Sequence, residues 1–412
     1  MILNFRTFCL IGILSLGALL CWVDNPLYAI IAALPDGIHR RLPFEDLAAI
    51  LRAGTCWRHG VDVYRPSACL AGGVYNYSPL LLRASYLPVT AQDSMVFGFV
   101  MAACFIMAEA LVPRPTGLKK FVALVTISPP VLYALEQGNF DLMIFVLVCL
   151  GLRLLRYYPA CGFALFALAA GAKFYPASLF SLVLREKLGR FIQITLVLGA
   201  AVLAFLYGFG HGAAAAAGII PLSQPFRATF GAIDLPLGLK LLLHVPVIRA
   251  YYPAASLTSS RPLLQGIATL LSVVAIWHGM AAAPRYRSVL PYLTEAEKIF
   301  LWAGLALIVL CFFLTQNVAY RCIFMIFAAP GLWHIGQRSG QFGLYAAVMA
   351  LMWEAVPRQL LIFLAPWSGP APAILFWLAR EALWWWVISQ FTAILYGLAM
   401  AEVLRLRREA GR

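Results

Sequence analysis

Long apolar runs broken by short polar or basic punctuation set the pattern of this chain, and each run of about 20 apolar residues predicts a bilayer-crossing helix. About twelve can be laid out, at roughly 8–23, 95–112, 121–136, 140–155, 160–172, 174–185, 190–208, 263–282, 299–314, 321–336, 342–364 and 381–403. The runs at 160–172 and 174–185 are short for a bilayer, which predicts tilted helices or a re-entrant pair with Lys173 at its tip. No small-x-small cleavage site follows the first run, so it reads as an uncleaved span.

Two stretches break this rhythm. In residues 24–93, Phe44, Leu47, Ala48 and Leu51 recur on one helical face while Glu45, Asp46, Arg52 and His59 take the other, the pattern of a helix lying at a membrane surface. Residues 209–262 are interrupted by Pro221, Pro225, Pro236, Pro246 and Pro253, and their apolar run at 235–243 predicts a second interfacial helix. The chain therefore reads as one all-α polytopic membrane domain over 1–412, with 24–93 and 209–262 as its two long outer segments.

Composition agrees and adds orientation. A chain that is 63% hydrophobic, 12% charged and of mean hydropathy +0.85 cannot enclose its apolar surface in one water-soluble core. The net charge of +14 would suit nucleic acid, but the basic residues sit in short links between runs, which is a topology signal. Placing the 113–120 turn, Arg185, Lys187, Arg338 and the arginine-rich tail on the cytoplasmic side puts both termini there. Residues 24–93 then face outward, which in a bacterial inner membrane is the periplasm.

Lys173, Arg321, Arg358 and Arg380 fall in the expected outer links, and Trp377, Trp384, Trp385 and Trp386 suit the headgroup belt. Of nine cysteines most lie in apolar runs; Cys56 and Cys69 share the first outer segment and either pair or stay free. No metal-binding spacing occurs and no cofactor motif is present.

Polar residues recur at the expected outer ends of the runs: Gln137, Gly138, Asn139 and Asp141, then Lys173 and Tyr175, then Gln316, Asn317, Tyr320 and Arg321. Such groups are expensive at bilayer depth, so their recurrence on one side predicts a shared cavity. Each also has a plainer use. Asn139 suits a helix cap, Lys173 a snorkelling side chain, Arg321 a lipid-headgroup contact, and Tyr64, Tyr75 and Tyr77 interface anchors.

The run Gln137-Gly138-Asn139-Phe140-Asp141 followed by Gly171-Ala172-Lys173-Phe174-Tyr175-Pro176 resembles the Gln-x-Asn and Lys-x-Tyr-Pro pattern of the GT87 (DUF2029) family of GT-C glycosyltransferases. Asp46, Gly60-Val61-Asp62-Val63-Tyr64 and Tyr75-Asn76-Tyr77-Ser78-Pro79 follow that family's order, so the likeness covers roughly 43–180 and, beyond it, Tyr320-Arg321. The resemblance implies a GT-C fold and inverting transfer of a mannose-like sugar from a polyprenyl-phosphate donor to a glycan or glycolipid acceptor on the outer face, as in polyprenol-phosphate mannose-dependent mannosyltransferases. It implies Asp46 as base, with Glu45 and Asp62 as competing carboxylates, and Lys173 and Arg321 as donor-phosphate ligands. Tyr64, Tyr77, Gln137, Asn139, Tyr175, Asn317 and Tyr320 would line the pocket. Asp62 also reads as a turn residue bonding nearby amides.

One carboxylate suffices for such chemistry, because the acceptor hydroxyl must lose a proton while the phosphate leaves as an anion already. Fixed cations would stabilise that anion. The competing expectation is a transporter or flippase for lipid-linked or polar solutes, which would show broken helices at the membrane midplane.

Overall fold

The structure, a computed structural model, describes residues 42–83, 89–113, 119–219, 224–244 and 261–411, with isolated positions at 10–12, 26, 28, 32, 33, 86 and 222. The expected first crossing at 8–23 therefore lies almost wholly outside the described residues. In chain order the α-helices are α1 (Glu45–Arg58), α2 (Pro79–Arg83), α3 (Ser94–Glu109), α4 (Lys119–Thr126), α5 (Pro129–Gln137), α6 (Asp141–Leu154), α7 (Pro159–Ala172) and α8 (Leu188–Gly218). They continue with α9 (Asp234–His244), α10 (Arg261–Ala282), α11 (Pro284–Arg287), α12 (Glu295–Leu314), α13 (Met325–Ser339), α14 (Gly343–Met352), α15 (Ala355–Ser368) and α16 (Ala371–Ala410). A two-stranded antiparallel ribbon pairs β1 (Thr229–Phe230) with β2 (Asn317–Val318), register Thr229↔Val318 and Phe230↔Asn317.

Among the described residues, five helical segments are long and apolar enough to cross a membrane: Ala91–Glu109, Leu188–Gly218, Arg261–Ala282, Glu295–Leu314 and Ala371–Ala410. Two bent pairs raise the number to seven if each is one span: 123–137 with 141–154, bent by 112°, and 343–352 with 355–368, bent by 52°. Several of the expected crossings take other forms. Residues 160–172 are the short helix α7, and 174–185 are a 3-10 helix over Tyr175–Arg185, a shape favoured by Pro176 in its first turn. The expected crossing at 321–336 divides into a 3-10 turn over Ala319–Phe324 and then α13.

Burial separates the spans by neighbour. The α12 span is two-thirds buried by protein and lies at the centre, whereas only 6% of the α8 span is buried among the described residues, which leaves it a long apolar surface of the kind that suits lipid. Small residues allow the central helices to approach closely. A Cβ on Gly304 of α12 would stand 2.8 Å from the Ala328 backbone nitrogen of α13, and one on Gly279 of α10 would stand 2.6 Å from the Ser389 carbonyl of α16.

Some boundaries differ from the hydropathy pattern. Helix α8 runs on through His211 and the alanine run to Gly218, because nothing there stops a helix. Helix α16 begins at Ala371, so Arg380 lies inside it and is buried, not in an outer link; Arg358 is likewise buried within α15. Trp377 and Trp384 are also interior rather than headgroup anchors, Phe230 stacking on Trp384 at 4.8 Å and Phe226 meeting Trp377 at 4.9 Å. The helix expected at 235–243 is α9, with Leu237 fully buried and Gly238 set against Trp377.

Gly304→Val should prevent α12–α13 closure and lower stability by about 1–3 kcal/mol or more. Gly199→Val, on α8 where a Cβ would meet nothing within 4 Å among the described residues, should leave it nearly unchanged. Thermal unfolding of detergent-purified protein compares the two.

Candidate functional site

The site begins with how α1 is anchored. Phe44, just before the helix, adopts φ 66°, which is rare for a bulky residue and needs support from its surroundings. Its amide donates to the Glu136 carbonyl at 2.7 Å, its carbonyl starts α1 by accepting from Ala48, and its ring fills the space left open by Gly98 and Gly138. With Leu47 it forms the buried stripe expected of this helix, so the next turn is delivered to the end of α5. Asp46 rides on that turn, half-buried, while Glu45 beside it faces solvent.

The chain breaks between α5 and α6 at the other half of the site. Gly138 ends α5 in the left-handed conformation, φ 56°, the usual glycine device for stopping a helix. Asn139 follows, fully buried, and its side chain does three things. Its Oδ1 accepts from the Asp141 amide at 2.9 Å and from Lys173 Nζ at 3.1 Å, and its Nδ2 donates to Asp46 Oδ2 at 2.5 Å. Asn139 is thus both the local cap and a bridge between Asp46 and the cation.

Asp141, the first residue of α6, is the centre of the cluster and is fully buried. Its Oδ1 accepts from Lys173 Nζ at 2.6 Å and from the Tyr175 hydroxyl at 2.6 Å, while Arg321 Nε approaches Oδ2 to 3.6 Å. Arg321 also donates to Asn317 Oδ1, and Asn317 Nδ2 is fixed by the carbonyls of Cys311 at 2.5 Å and Thr315 at 2.8 Å. Lys173 reaches this point because α7 ends at Ala172 and the following 3-10 helix turns away.

The loop before α2 closes the cluster from outside. Ser78 Oγ donates to the Gly171 carbonyl at 2.5 Å and the Tyr75 hydroxyl to the Ser78 carbonyl at 3.1 Å, pinning the loop to the end of α7. Tyr77 thereby stands 4.9 Å from Lys173 Nζ, ring face toward the ammonium, with Tyr320 at 6.0 Å on another side. A disulfide between Cys56 and Cys69 ties the far end of α1 to the same segment.

Of the twelve residues singled out in the sequence, Asp46, Asn139, Lys173, Tyr175, Arg321, Asn317, Tyr77 and Tyr320 therefore come together. Four stand apart. Glu45 is exposed. Asp62 is a surface turn residue, its Oδ1 accepting from the Tyr64 amide at 3.0 Å and its Oδ2 pairing with Arg65 at 3.3 Å. Gln137 is turned to the neighbouring Glu136 carboxylate. Tyr64 packs on Tyr75 one ring further out, at 6.0 Å, and burial pushes its hydroxyl up to about 12, so it stays neutral at any working pH. Asp141, which the sequence places among the polar residues of a shared cavity but to which the family resemblance assigns no specific role, carries more contacts than any of these four. Its signal was the Asn-x-Asp spacing, which lets a cap residue and the first helical residue share one cation.

Among the described residues of the cluster the charges balance: Asp46 and Asp141 against Lys173 and Arg321. Arg321 is the more accessible cation, its side chain 23% exposed against 5% for Lys173, so it is the one set to meet an incoming anion. Asp141→Asn would leave two cations with one carboxylate in a buried place and should destabilise by about 3–5 kcal/mol. Asp141→Asn/Lys173→Met should recover a measurable part of this. Asp46→Asn, at the open end, should shift melting by no more than about 1 kcal/mol; scanning fluorimetry in detergent would rank the three variants.

Comparison of the chain with protein-family models, with curated proteins and with solved structures found no match.

Proposed function

We propose that the protein is an integral-membrane inverting glycosyltransferase that takes a mannose-like hexose or related sugar from a polyprenyl-phosphate donor and passes it to a lipid-linked or cell-envelope glycan. One observation carries this reading: the half-buried Asp46 carboxylate is tied through Asn139 to Lys173, and Lys173 shares the buried Asp141 carboxylate with Arg321 from a distant part of the chain. Base and cations side by side are what the reaction requires. The acceptor oxygen attacks the anomeric carbon, Asp46 takes its proton, and the bond from that carbon to the phosphate oxygen breaks with inversion. The phosphate leaves as an anion beside Arg321 and Lys173, whose positions are set beforehand by Asp141 and Asn317.

Other features fit. The lipid-covered α8 and α10 would admit a polyprenyl chain from the bilayer side. The Cys56–Cys69 disulfide suits an oxidising, non-cytoplasmic compartment, the side to which the positive-inside pattern assigns this segment. The resemblance of Gln137-Gly138-Asn139 and Lys173-Phe174-Tyr175-Pro176 to the GT87 family points the same way.

A second reading has its own support. The site lies at a helix break bent by 112°, and polar groups at a broken helix are also how transporters build solute sites. Proteoliposomes supplied with a short-chain prenyl-phosphate mannose separate the two. Asp46→Asn should lower sugar release at least 100-fold, an effect within the usual range for loss of a general base, while donor binding stays within about threefold. Arg321→Lys should instead weaken donor binding about tenfold or more, since the planar fork is lost. Movement of a labelled solute without any sugar transfer would replace the glycosyltransferase reading with the transport one.

A further inference from the structure

A second buried polar centre lies on the other side of the β1–β2 ribbon and plays no part in the chemistry above. It contains Asp234 at the start of α9, Glu354 at the break between α14 and α15, Arg358 of α15, and Arg380 and Glu381 of α16, all nine-tenths buried or more. Arg380 Nη2 donates to Glu381 Oε1 at 2.6 Å, and Nη1 faces Glu354 Oε2 at 3.6 Å; Arg358 Nε stands 3.6 Å from Glu354 Oε1. Gln316 Nε2 donates to Asp234 Oδ1, and Thr229 Oγ1 lies beside the same carboxyl without completing a hydrogen bond.

Among the described residues, three carboxylates here meet two guanidiniums. A surplus negative charge in such a place is far more expensive than a neutral acid, so the surplus is removed by a cation or a proton. Arg380 lies against Glu381 and its field reaches Asp234, which disfavours a metal ion at the same spot. The hydrogen bonds point to the proton as well. Asp234 Oδ2 and Glu381 Oε2 are buried acceptors with no hydrogen-bond partner among the described residues, and one added proton turns an acceptor into a donor.

We infer that this cluster is a proton-binding site in which Asp234 and Glu381 hold one proton between them when the chain is folded at neutral pH. A small recess lined by Tyr133, Ala228, Ala319 and Met352 reaches Glu354 at the edge of the cluster. The site is linked to the first centre through the backbone. Arg380 also clamps the carbonyls of Pro225 and Arg227, each at 2.7 Å; the segment continues into β1, β1 pairs with β2, and β2 carries the Asn317 that holds Arg321. Losing the proton would set two like charges against the strap that positions that arginine.

Burial first and Glu381 second push Asp234 above the ordinary carboxylate range. The folded chain then keeps a proton that the unfolded chain gives up above pH about 4, so the site's contribution to stability falls as pH rises from there toward the raised folded-state value. In the full-length protein purified in detergent, difference infrared spectra should contain the carbonyl stretch of a protonated carboxylic acid at pH 7. That band should be lost in Asp234→Asn and shifted in Glu381→Gln. The melting temperature of Asp234→Asn relative to the parent should rise between pH 5 and pH 8. Absence of the band, an unshifted band in Glu381→Gln, or a variant that loses most stability at high pH would overturn the shared proton; the last would make Asp234 an ionised partner of Arg380. None of these readouts depends on which reaction or transport step the first centre performs.

Discussion

The electrostatic demand of one buried carboxylate organises the centre of this molecule. Asp141 has no exposure to water, so its charge must be met by protein, and Lys173, Tyr175 and Arg321 supply the contacts. They come from three separate stretches: the end of α7, the 3-10 helix after it, and the 3-10 turn that follows β2. Removing any one partner leaves a charge stranded in a medium where stranding is expensive, so the four residues hold those stretches in a single arrangement. The exposed side of the arrangement is then set without further choice: Asn139 shares the Lys173 ammonium and passes a hydrogen bond outward to Asp46.

Backbone irregularity is what makes such convergence possible inside apolar helices. A continuous helix satisfies its own amides and has nothing to offer a ligand or a charge. The chain is interrupted at Gly138, after Ala172 and between Thr315 and Ala319, and Asn139, Asp141, Lys173, Tyr175, Asn317 and Arg321 fall at or just after these three interruptions. The break between α14 and α15 does the same for the second centre, where Glu354 sits. The two centres are joined by adjacent residues, Gln316 facing Asp234 and Asn317 facing Arg321, so the β1–β2 ribbon is a mechanical link between two electrostatic sites.

Much of this was legible from residue order. The amphipathic stripe of α1, the short elements flanking Lys173 and the gathering of polar residues at run ends all follow from local periodicity and from the expense of burying polarity. Misreadings occurred where the deciding neighbour was remote. Trp377, Trp384 and Arg380 look like headgroup residues in sequence, because an aromatic or basic residue near a run end is usually solvated by the interface. In the fold they are covered by the segment 224–230, more than a hundred positions earlier in the chain, which gives Arg380 carbonyls to bind and Trp384 a ring to stack on. Asp62 and Glu45 look as reactive as Asp46 in sequence, and only the course of the backbone separates the surface turn and the solvent-facing side from the cluster.

Hydropathy alone determined that this chain belongs in a membrane and where its longest helices run, since a bilayer span is a local property of about 20 residues. It also singled out most of the side chains that meet, because polar residues in apolar surroundings stand out without any coordinates. Tertiary structure alone decided which of them touch, that Asp141 and not a loop carboxylate is the hub, and that a second set of charges is buried around Arg380. Pairing between charges is set by distance in space, and distances across an apolar helical bundle are governed by glycine contacts and helix breaks whose partners no local stretch of sequence names.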